Sequence, residues 1–228
     1  MFPQVGYCQG MNFMVSIILE VMNHNEHLSF LIFVHFLNSK KLSVESVFMQ
    51  GLPELELMNF TFDKLIQYFC RDLYEHLDEL EMRTEYFTFK WCLTLYSCFL
   101  PVELTTHVFD LFILDGWPAI YEIGISLMNN FLGDKLKEME TMADVSQYFR
   151  DDMRMSMTYG EEKMREIVFG THMLQLSSIL PLLKENYYSR IAQEEGEQNT
   201  NTQNQNMVQE GEQEEQKTPI QTERIMME

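Results

Sequence analysis

A glutamine lies between two glycines near the start of the sequence, in the run Val5-Gly6-Tyr7-Cys8-Gln9-Gly10-Met11-Asn12-Phe13. A carboxamide has both a hydrogen-bond donor and an acceptor, so Gln9 could hold an attacking water and a phosphate oxygen without transferring a proton itself. Gly6 and Gly10 permit close approach of the backbone. The apolar run that follows predicts a helix whose free N–H groups and positive dipole end lie beside the glutamine. The segment therefore indicates a site that orients water or an anion.

The elements that must position this segment are predicted to be helices. Apolar residues recur at steps of three and four most clearly from Phe62 to Leu77, which predicts one amphipathic helix. Comparable patterns predict helices from Met11 to Met22, Leu28 to Leu37, about Thr84 to Phe99, Val102 to Leu114 and Ala119 to Phe131. Glycine and proline predict breaks at Gly51-Leu52-Pro53, Leu100-Pro101, Gly116-Trp117-Pro118 and Gly133-Asp134. No stretch alternates with period two, so the predicted fold class is all-α.

In the last third of the chain, a region of predicted helices is followed after Ala192 by a polar segment. From Asp144 to about Arg190 the spacing predicts further helices, carried by Val145, Tyr148, Phe149, Met164, Ile167, Val168, Leu174, Leu176, Ile179, Leu180 and Leu183. Residues 193–228 are rich in Gln, Glu, Asn, Thr and Gly and hold almost no apolar side chain before Ile220. Such a segment cannot offset its ordering entropy by burial, so a disordered acidic tail is predicted.

The charge balance excludes several classes of function. The formal net charge is -19, and nine Glu against Lys217 and Arg224 place -7 of it in residues 193–228. This charge opposes binding to nucleic acid or to an anionic membrane. No apolar run approaches the roughly 18 residues that span a bilayer, and the start has no basic segment of a secretory signal, so a soluble cytoplasmic protein is expected. Without a GxxxxGK[ST] or GxGxxG motif, no nucleotide cofactor or other cofactor is predicted.

Metal or thiol chemistry is an alternative with weaker support. Cys8, Cys70, Cys92 and Cys98 form no CxxC pair, and their scatter predicts free thiols in a reducing compartment. Three histidines, at positions 24, 27 and 35, could share a helical region, but no carboxylate or cysteine completes a ligand set. We therefore predict no metal site.

Four motifs together resemble one known family. The Tyr7-Cys8-Gln9 run resembles the YxQ glutamine finger of TBC-domain Rab GTPase-activating proteins. Three further segments follow in the order of that family. Asp72–Leu77 resembles its central helix, and Thr88–Ser97 with Leu100-Pro101 resembles its aromatic-Trp-x-L-T-L-F and LP segment. Phe109–Phe112 with Asp115–Trp117 resembles its WD-x-F and Gly segment. Phe109 stands where the family usually has Trp. The hydrophobic members of the later motifs are predicted to be core residues: Trp91, Leu93, Leu95, Phe109 and Phe112.

The resemblance implies a GTPase activator rather than an enzyme with its own substrate. It implies that Gln9 is the catalytic residue, supplied in trans to the nucleotide site of a GTP-bound Rab-family small GTPase. Tyr7, Cys8, Gly10 and Asn12 are the predicted partner-binding residues. The expected role is control of vesicle traffic and intracellular protein transport, in the cytoplasm, with recruitment to endomembranes through partners. The sequence indicates no particular oligomeric state.

The family's second motif, IxxDxxR, has no counterpart here. Its arginine neutralises charge on the transferring phosphate, and none of the arginines at 71, 83, 150, 154, 165, 190 and 224 lies in that context. The resemblance therefore predicts a TBC-type domain lacking its first helices: a partial domain over 1–152, its C-terminal helices over 153–192 and the tail. The helices predicted from Met11 and from Leu28 should then expose apolar surface. A non-catalytic Rab-binding or scaffold module is the alternative function.

Overall fold

The computed structural model describes residues 5–152, 176–194 and 196 of the chain, and the described part is helical without a strand. Within the described residues, α-helices follow one another in the order α1 Met11–Val21, α2 Glu26–Asn38, α3 Val44–Val47, α4 Pro53–Phe69, α5 Arg71–Glu79, α6 Glu85–Thr94, α7 Val102–Asp115, α8 Trp117–Leu127, α9 Gly133–Lys137 and α10 Met142–Gln147. Shorter turns are π-helical at Met128–Leu132 and Tyr148–Asp152 and 3₁₀-helical at Leu176–Ser178, and residues 180–194 are also helical. The predicted all-α class is confirmed.

Contacts divide the chain into two units, Met1–Lys184 and Glu185–Glu228. In the first unit, the helices surround an aromatic cluster centred on the fully buried Trp91. Its ring lies 5.0 to 6.2 Å from the rings of Phe62, Phe87, Tyr96 and Phe149. Such tilted and edge-on arrangements stabilise aromatic pairs beyond the area that they bury. The cluster joins α4, α6 and the turn after α10 into one core.

Three of the four predicted breaks are confirmed, and each has a local cause. Leu52 has a φ of 52° and Pro53 occupies the first turn of α4, where its missing N–H costs nothing. Pro101 immediately precedes α7, and Gly116, with a φ of 74°, separates α7 from α8. The loop from α1 to α2 ends at Asn25, whose side chain accepts from the Leu28 N–H at 3.0 Å and caps α2.

The predicted break at Gly133-Asp134 is wrong. Gly133 has helical dihedral angles of -56° and -49°, and it joins the π-helical turn at Met128–Leu132 to α9. A Cβ on Gly133 would lie 2.7 Å from the carbonyl oxygen of Met128. The glycine is therefore explained by a close backbone contact within a continuous helical segment, whereas the sequence pattern predicts a helix end.

The single helix predicted from Phe62 to Leu77 is also wrong, because the chain leaves the helical region at Cys70. This residue has dihedral angles of -125° and 44° and separates α4 from α5. Its N–H bonds to the Ile66 carbonyl and its carbonyl accepts from Tyr74, so the spacing of four continues across the break. A pattern of apolar spacing therefore cannot detect the change of direction.

The helix predicted from about Thr84 to Phe99 ends early, at Thr94. Leu95 and Tyr96 have φ values of 46° and 64°, in the left-handed region. Every residue from Trp91 to Ser97 is buried. The segment therefore lacks the alternation of apolar and polar faces from which a helix end could be predicted. The expected helical residues Met164, Ile167, Val168 and Leu174, and all of the predicted tail beyond 196, lie outside the described residues.

Candidate functional site

The segment with Gln9 forms a turn that leads directly into α1. Gln9 and Asn12 are exposed, Tyr7 is 79% exposed, Cys8 is half-buried and Gly10 is buried. The Met11 N–H bonds to the Cys8 carbonyl at 3.2 Å, which closes the turn around Gln9. Within the described part of the chain the Gln9 carboxamide has no hydrogen-bond partner, so both its donor and its acceptor point to solvent.

Gly10 explains why the turn lies where it does. Its φ of 123° is a conformation that residues with a side chain rarely adopt. A Cβ at this position would lie 3.1 Å from the carbonyl oxygen of Leu93 and 3.3 Å from the Leu93 Cβ. The backbone beside Gln9 is thus in direct contact with the last turn of α6.

Asn12 holds the same residue through a hydrogen bond. Its Oδ1 accepts from the Gly10 N–H at 3.3 Å. Asn12 is predicted to be a partner-binding residue, and its observed contact is a support of the turn itself. The amide orientation follows from this bond, because the opposite orientation would place two donors together.

The electrostatic setting of Gln9 favours an anion. No side chain of the described residues caps the N-terminus of α1, and its first turn contains no carboxylate. The positive end of the helix dipole is therefore not neutralised locally. Burial raises the pKa of the Cys8 thiol, which donates to the Gln9 carbonyl at 3.6 Å. A protonated thiol is a poor nucleophile, so Cys8 is suited to packing rather than to covalent chemistry.

The predicted core residues of the later motifs are buried. Trp91, Leu95 and Phe112 have no exposed surface, and Leu93 and Phe109 are 7% and 6% exposed. Leu93 nevertheless contacts the candidate site through its backbone. Sequence reasoning missed this role. The glycine at position 10 signalled a close approach, but nothing local identified the approaching residue.

The predicted apolar surface of the first helices is present on α2. Leu28, Phe30 and Leu31 are 42%, 63% and 49% exposed, and Val21 at the end of α1 is 49% exposed. The opposite side of α2 is buried, with the Phe36 ring 6.0 Å from that of Phe109. The helix therefore has one face in the core and one large apolar face in solvent.

The cysteines and histidines form no second centre in the described part of the chain. All four cysteines are free, and burial raises the pKa of Cys70 to about 12. His24, His27 and His35 are exposed. Among the described residues no three His, Cys, Asp or Glu side chains are grouped as metal ligands. None of the described helices is both long and apolar enough to cross a bilayer.

Solved structures share this fold. The Chlamydomonas flagellar RabGAP TBC domain superposes with a TM-score of 0.61 and 18% identity, over 77% of this chain and 55% of that one. The Ypt/Rab-GAP domain of Gyp1p superposes with a TM-score of 0.57 and 15% identity, over 82% of this chain and 62% of that one. At such low identity the likeness establishes the fold alone.

Sequence relatives support the same assignment. The human ecotropic viral integration site 5 protein homolog is 29% identical over 125 residues, which are 55% of this chain and 15% of that protein. The mouse TBC1 domain family member 4 is 25% identical over 166 residues, 73% of this chain and 12% of that protein. The Rab GTPase-activating protein eat-17 of Caenorhabditis elegans is 28% identical over 152 residues, 66% of this chain and 16% of that protein.

This chain thus corresponds to a small part of its curated relatives. The family model for the Rab-GTPase-TBC domain matches residues 1–137, more than half of the chain and including the Gln9 turn and Trp91. The matched residues, the four motifs in family order and the shared helical fold agree. The chain belongs to the Rab-GTPase-TBC domain family.

Proposed function

We propose that this chain binds the GTP-bound form of a Rab-family GTPase and presents Gln9 to the bound nucleotide. The observation that carries the proposal is the exposed carboxamide of Gln9 at the uncapped start of α1, on a turn held by Gly10 and Asn12. Membership of the Rab-GTPase-TBC family supports it, as does the activity stated in the name of the eat-17 relative. The role is in vesicle traffic, in the cytoplasm, with recruitment to endomembranes through the GTPase.

In this proposal Gln9 acts by orientation. Its side-chain oxygen accepts from the attacking water and its N–H donates to an oxygen of the γ-phosphate, so no proton transfer by the glutamine is required. The positive end of α1 lies beside the negative charge that the phosphates bring. Tyr7, 79% exposed, supplies contact area, and Gly10 and Asn12 hold the turn. The nucleotide arrives bound to the partner.

The proposal requires an arginine from outside these residues. None of the seven arginines lies in an IxxDxxR context, and an arginine finger accounts for about 10³ to 10⁵ of the rate in GTPase systems. We therefore expect the 228 residues alone to accelerate hydrolysis weakly. The exposed apolar face of α2, with Leu28, Phe30 and Leu31, favours the second candidate, a non-catalytic Rab-binding or scaffold module.

Single-turnover hydrolysis by a panel of GTP-loaded Rab proteins tests the proposal. The panel is measured with the chain, with Gln9→Ala and with Gln147→Ala, which alters another exposed glutamine, at the end of α10. A version joined at its N-terminus to an IxxDxxR segment taken from a TBC-domain relative supplies the arginine. Acceleration that falls with Gln9→Ala and persists with Gln147→Ala supports the activator. Rab binding without acceleration in any version supports the scaffold instead, and no binding to any Rab refutes both candidates.

A further inference from the structure

The turn that carries Gln9 rests on a distant part of the chain. The carbonyl oxygen of Leu93 lies 3.1 Å from the position of a Cβ on Gly10, so the backbones of α6 and of the Gln9 turn are in contact. We propose that the last turn of α6 and the two residues after it, Leu93–Tyr96, position Gln9 for its reaction. We name this segment the α6 end. The inference rests on the proposed function and adds positioning residues to it.

The α6 end has an unusual backbone. The N–H groups of Leu95 and Tyr96 both bond to the carbonyl oxygen of Trp91, a pattern that closes many helix C-termini. Glycine usually occupies the left-handed position of such a cap, but here two large residues have φ values of 46° and 64°. Each costs about 1 kcal/mol or more in that region, so the surrounding structure must hold them there.

Tyr96 is the group that holds this backbone. Its side chain is fully buried, and its hydroxyl donates to the Ile120 carbonyl of α8 at 2.8 Å. The ring lies 5.2 Å from that of Trp91, and the hydroxyl lies 2.6 Å from where a Cβ on Gly124 would be. The tyrosine thus fits into a space that α8 leaves open by having glycine. Its anchorage ties the α6 end to the centre of the core.

A second, weaker hold acts on the neighbouring carbonyl. The Ser97 hydroxyl donates to the Thr94 carbonyl at 2.6 Å, and the Ser97 N–H bonds to the same oxygen at 3.0 Å. Thr94 directly follows Leu93, the residue that contacts Gly10. The position of the Leu93 carbonyl is therefore set by bonds on both sides of it.

These contacts connect the core to Gln9. Tyr96 holds the left-handed turn, the turn sets the Leu93 carbonyl, and that carbonyl limits where Gly10 can lie. The Asn12 side chain also holds Gly10, by accepting from its N–H. Together with the bond from the Met11 N–H to the Cys8 carbonyl, these contacts restrain the backbone on both sides of Gln9. A group that orients water gains rate from such preorganisation, because a displacement of about 1 Å can cost 10²-fold.

Hydrogen exchange in the full chain tests the structural part. Tyr96→Phe removes the anchor, and Tyr121→Phe is the matched control, a buried tyrosine of α8 whose hydroxyl bonds to Thr61. We expect the Gly10 and Met11 amides to exchange about 10-fold faster in Tyr96→Phe than in Tyr121→Phe, the factor for loss of one buried hydrogen bond. Ser97→Ala is expected to act in the same direction, about 3-fold, and it decides the matter if Tyr96→Phe does not fold. Equal exchange in the variants and the control overturns the inference.

Binding to Rab proteins tests the catalytic part. The measured quantity is the ratio of affinities for Rab loaded with GDP and aluminium fluoride and for Rab loaded with a non-hydrolysable GTP analogue. Tyr96→Phe should lower this ratio severalfold and Tyr121→Phe should leave it unchanged. Only Tyr96→Phe is expected to move Gln9 away from the transferring phosphate, whose charge the aluminium fluoride complex mimics. Faster exchange with an unchanged ratio shows that the α6 end supports the turn but does not position Gln9, which overturns the inference. If the unaltered chain binds no Rab, the proposed function fails, while exchange still decides whether the α6 end holds the turn.

Discussion

Replacing Gly10 by alanine perturbs the contact on which the candidate site depends. Two effects act on the added methyl group: the φ of 123° strains any residue with a Cβ, and the Leu93 carbonyl oxygen lies only 3.1 Å from the Cβ position. The chain offers glycines that separate the two effects. Gly51 has a φ of 83° with no atom within 4 Å of its Cβ position, and Gly6 has neither strain nor a neighbour.

The expected magnitudes follow from these geometries. Gly6→Ala should leave the free energy of unfolding unchanged within about 0.5 kcal/mol, or raise it slightly by restricting the unfolded chain. Gly51→Ala should cost about 1 to 2 kcal/mol, from backbone strain alone. Gly10→Ala should cost about 2 to 4 kcal/mol, because crowding against a carbonyl that cannot move freely adds to the strain. A domain stable by roughly 5 to 15 kcal/mol remains folded in all three cases.

Urea unfolding of the three variants measures these costs, with the midpoints compared at a common slope. We expect the urea midpoint to be highest for Gly6→Ala, lower for Gly51→Ala and lowest for Gly10→Ala. The Gly10→Ala variant should also lose most of any stimulation of GTP hydrolysis by Rab proteins. Equal midpoints for Gly10→Ala and Gly51→Ala would refute the reasoning, since the Leu93 carbonyl would then give way without cost.

Three further predictions concern single groups. Gln9→Ala should change the free energy of unfolding by no more than about 0.5 kcal/mol because the side chain is exposed, and a larger change in the urea midpoint would assign it a structural role. Lys41→Met should cost about 1 kcal/mol, because the Lys41 Nζ donates to the Ile113 and Leu114 carbonyls at 3.1 and 2.6 Å at the end of α7, whereas the neighbouring Lys40→Met should be neutral in the same titration. Burial raises the pKa of the Cys70 thiol from 9.0 to about 12, so its stabilising contribution is complete below pH 9 and is lost as the pH rises towards 12. Urea midpoints from pH 8 to 11 should therefore fall less steeply in Cys70→Ala than in the unaltered chain, and parallel curves would contradict this.

Local patterns in the sequence were sufficient for much of the fold. Helical spacing and helix punctuation predicted α1, α2 and α7 within a few residues, because a single stripe of apolar residues bounded by Gly, Pro or a capping side chain specifies one helix. The same spacing failed at Cys70, where two helices follow one another with the stripe in register. It also failed at Leu95, where burial on every side removes the stripe altogether.

For the candidate site, too, some features follow from the sequence and others only from the tertiary structure. The sequence by itself determined the residue that could orient water, the glycine that requires a close approach, and the family to which the motifs belong. Only the tertiary structure decided that Leu93 is the residue approached, that Tyr96 holds it through Ile120, and that Asn12 supports the turn from within. The physical reason is that a local pattern records which groups must be buried or unhindered. Their partners lie far along the chain and are chosen by how the helices pack.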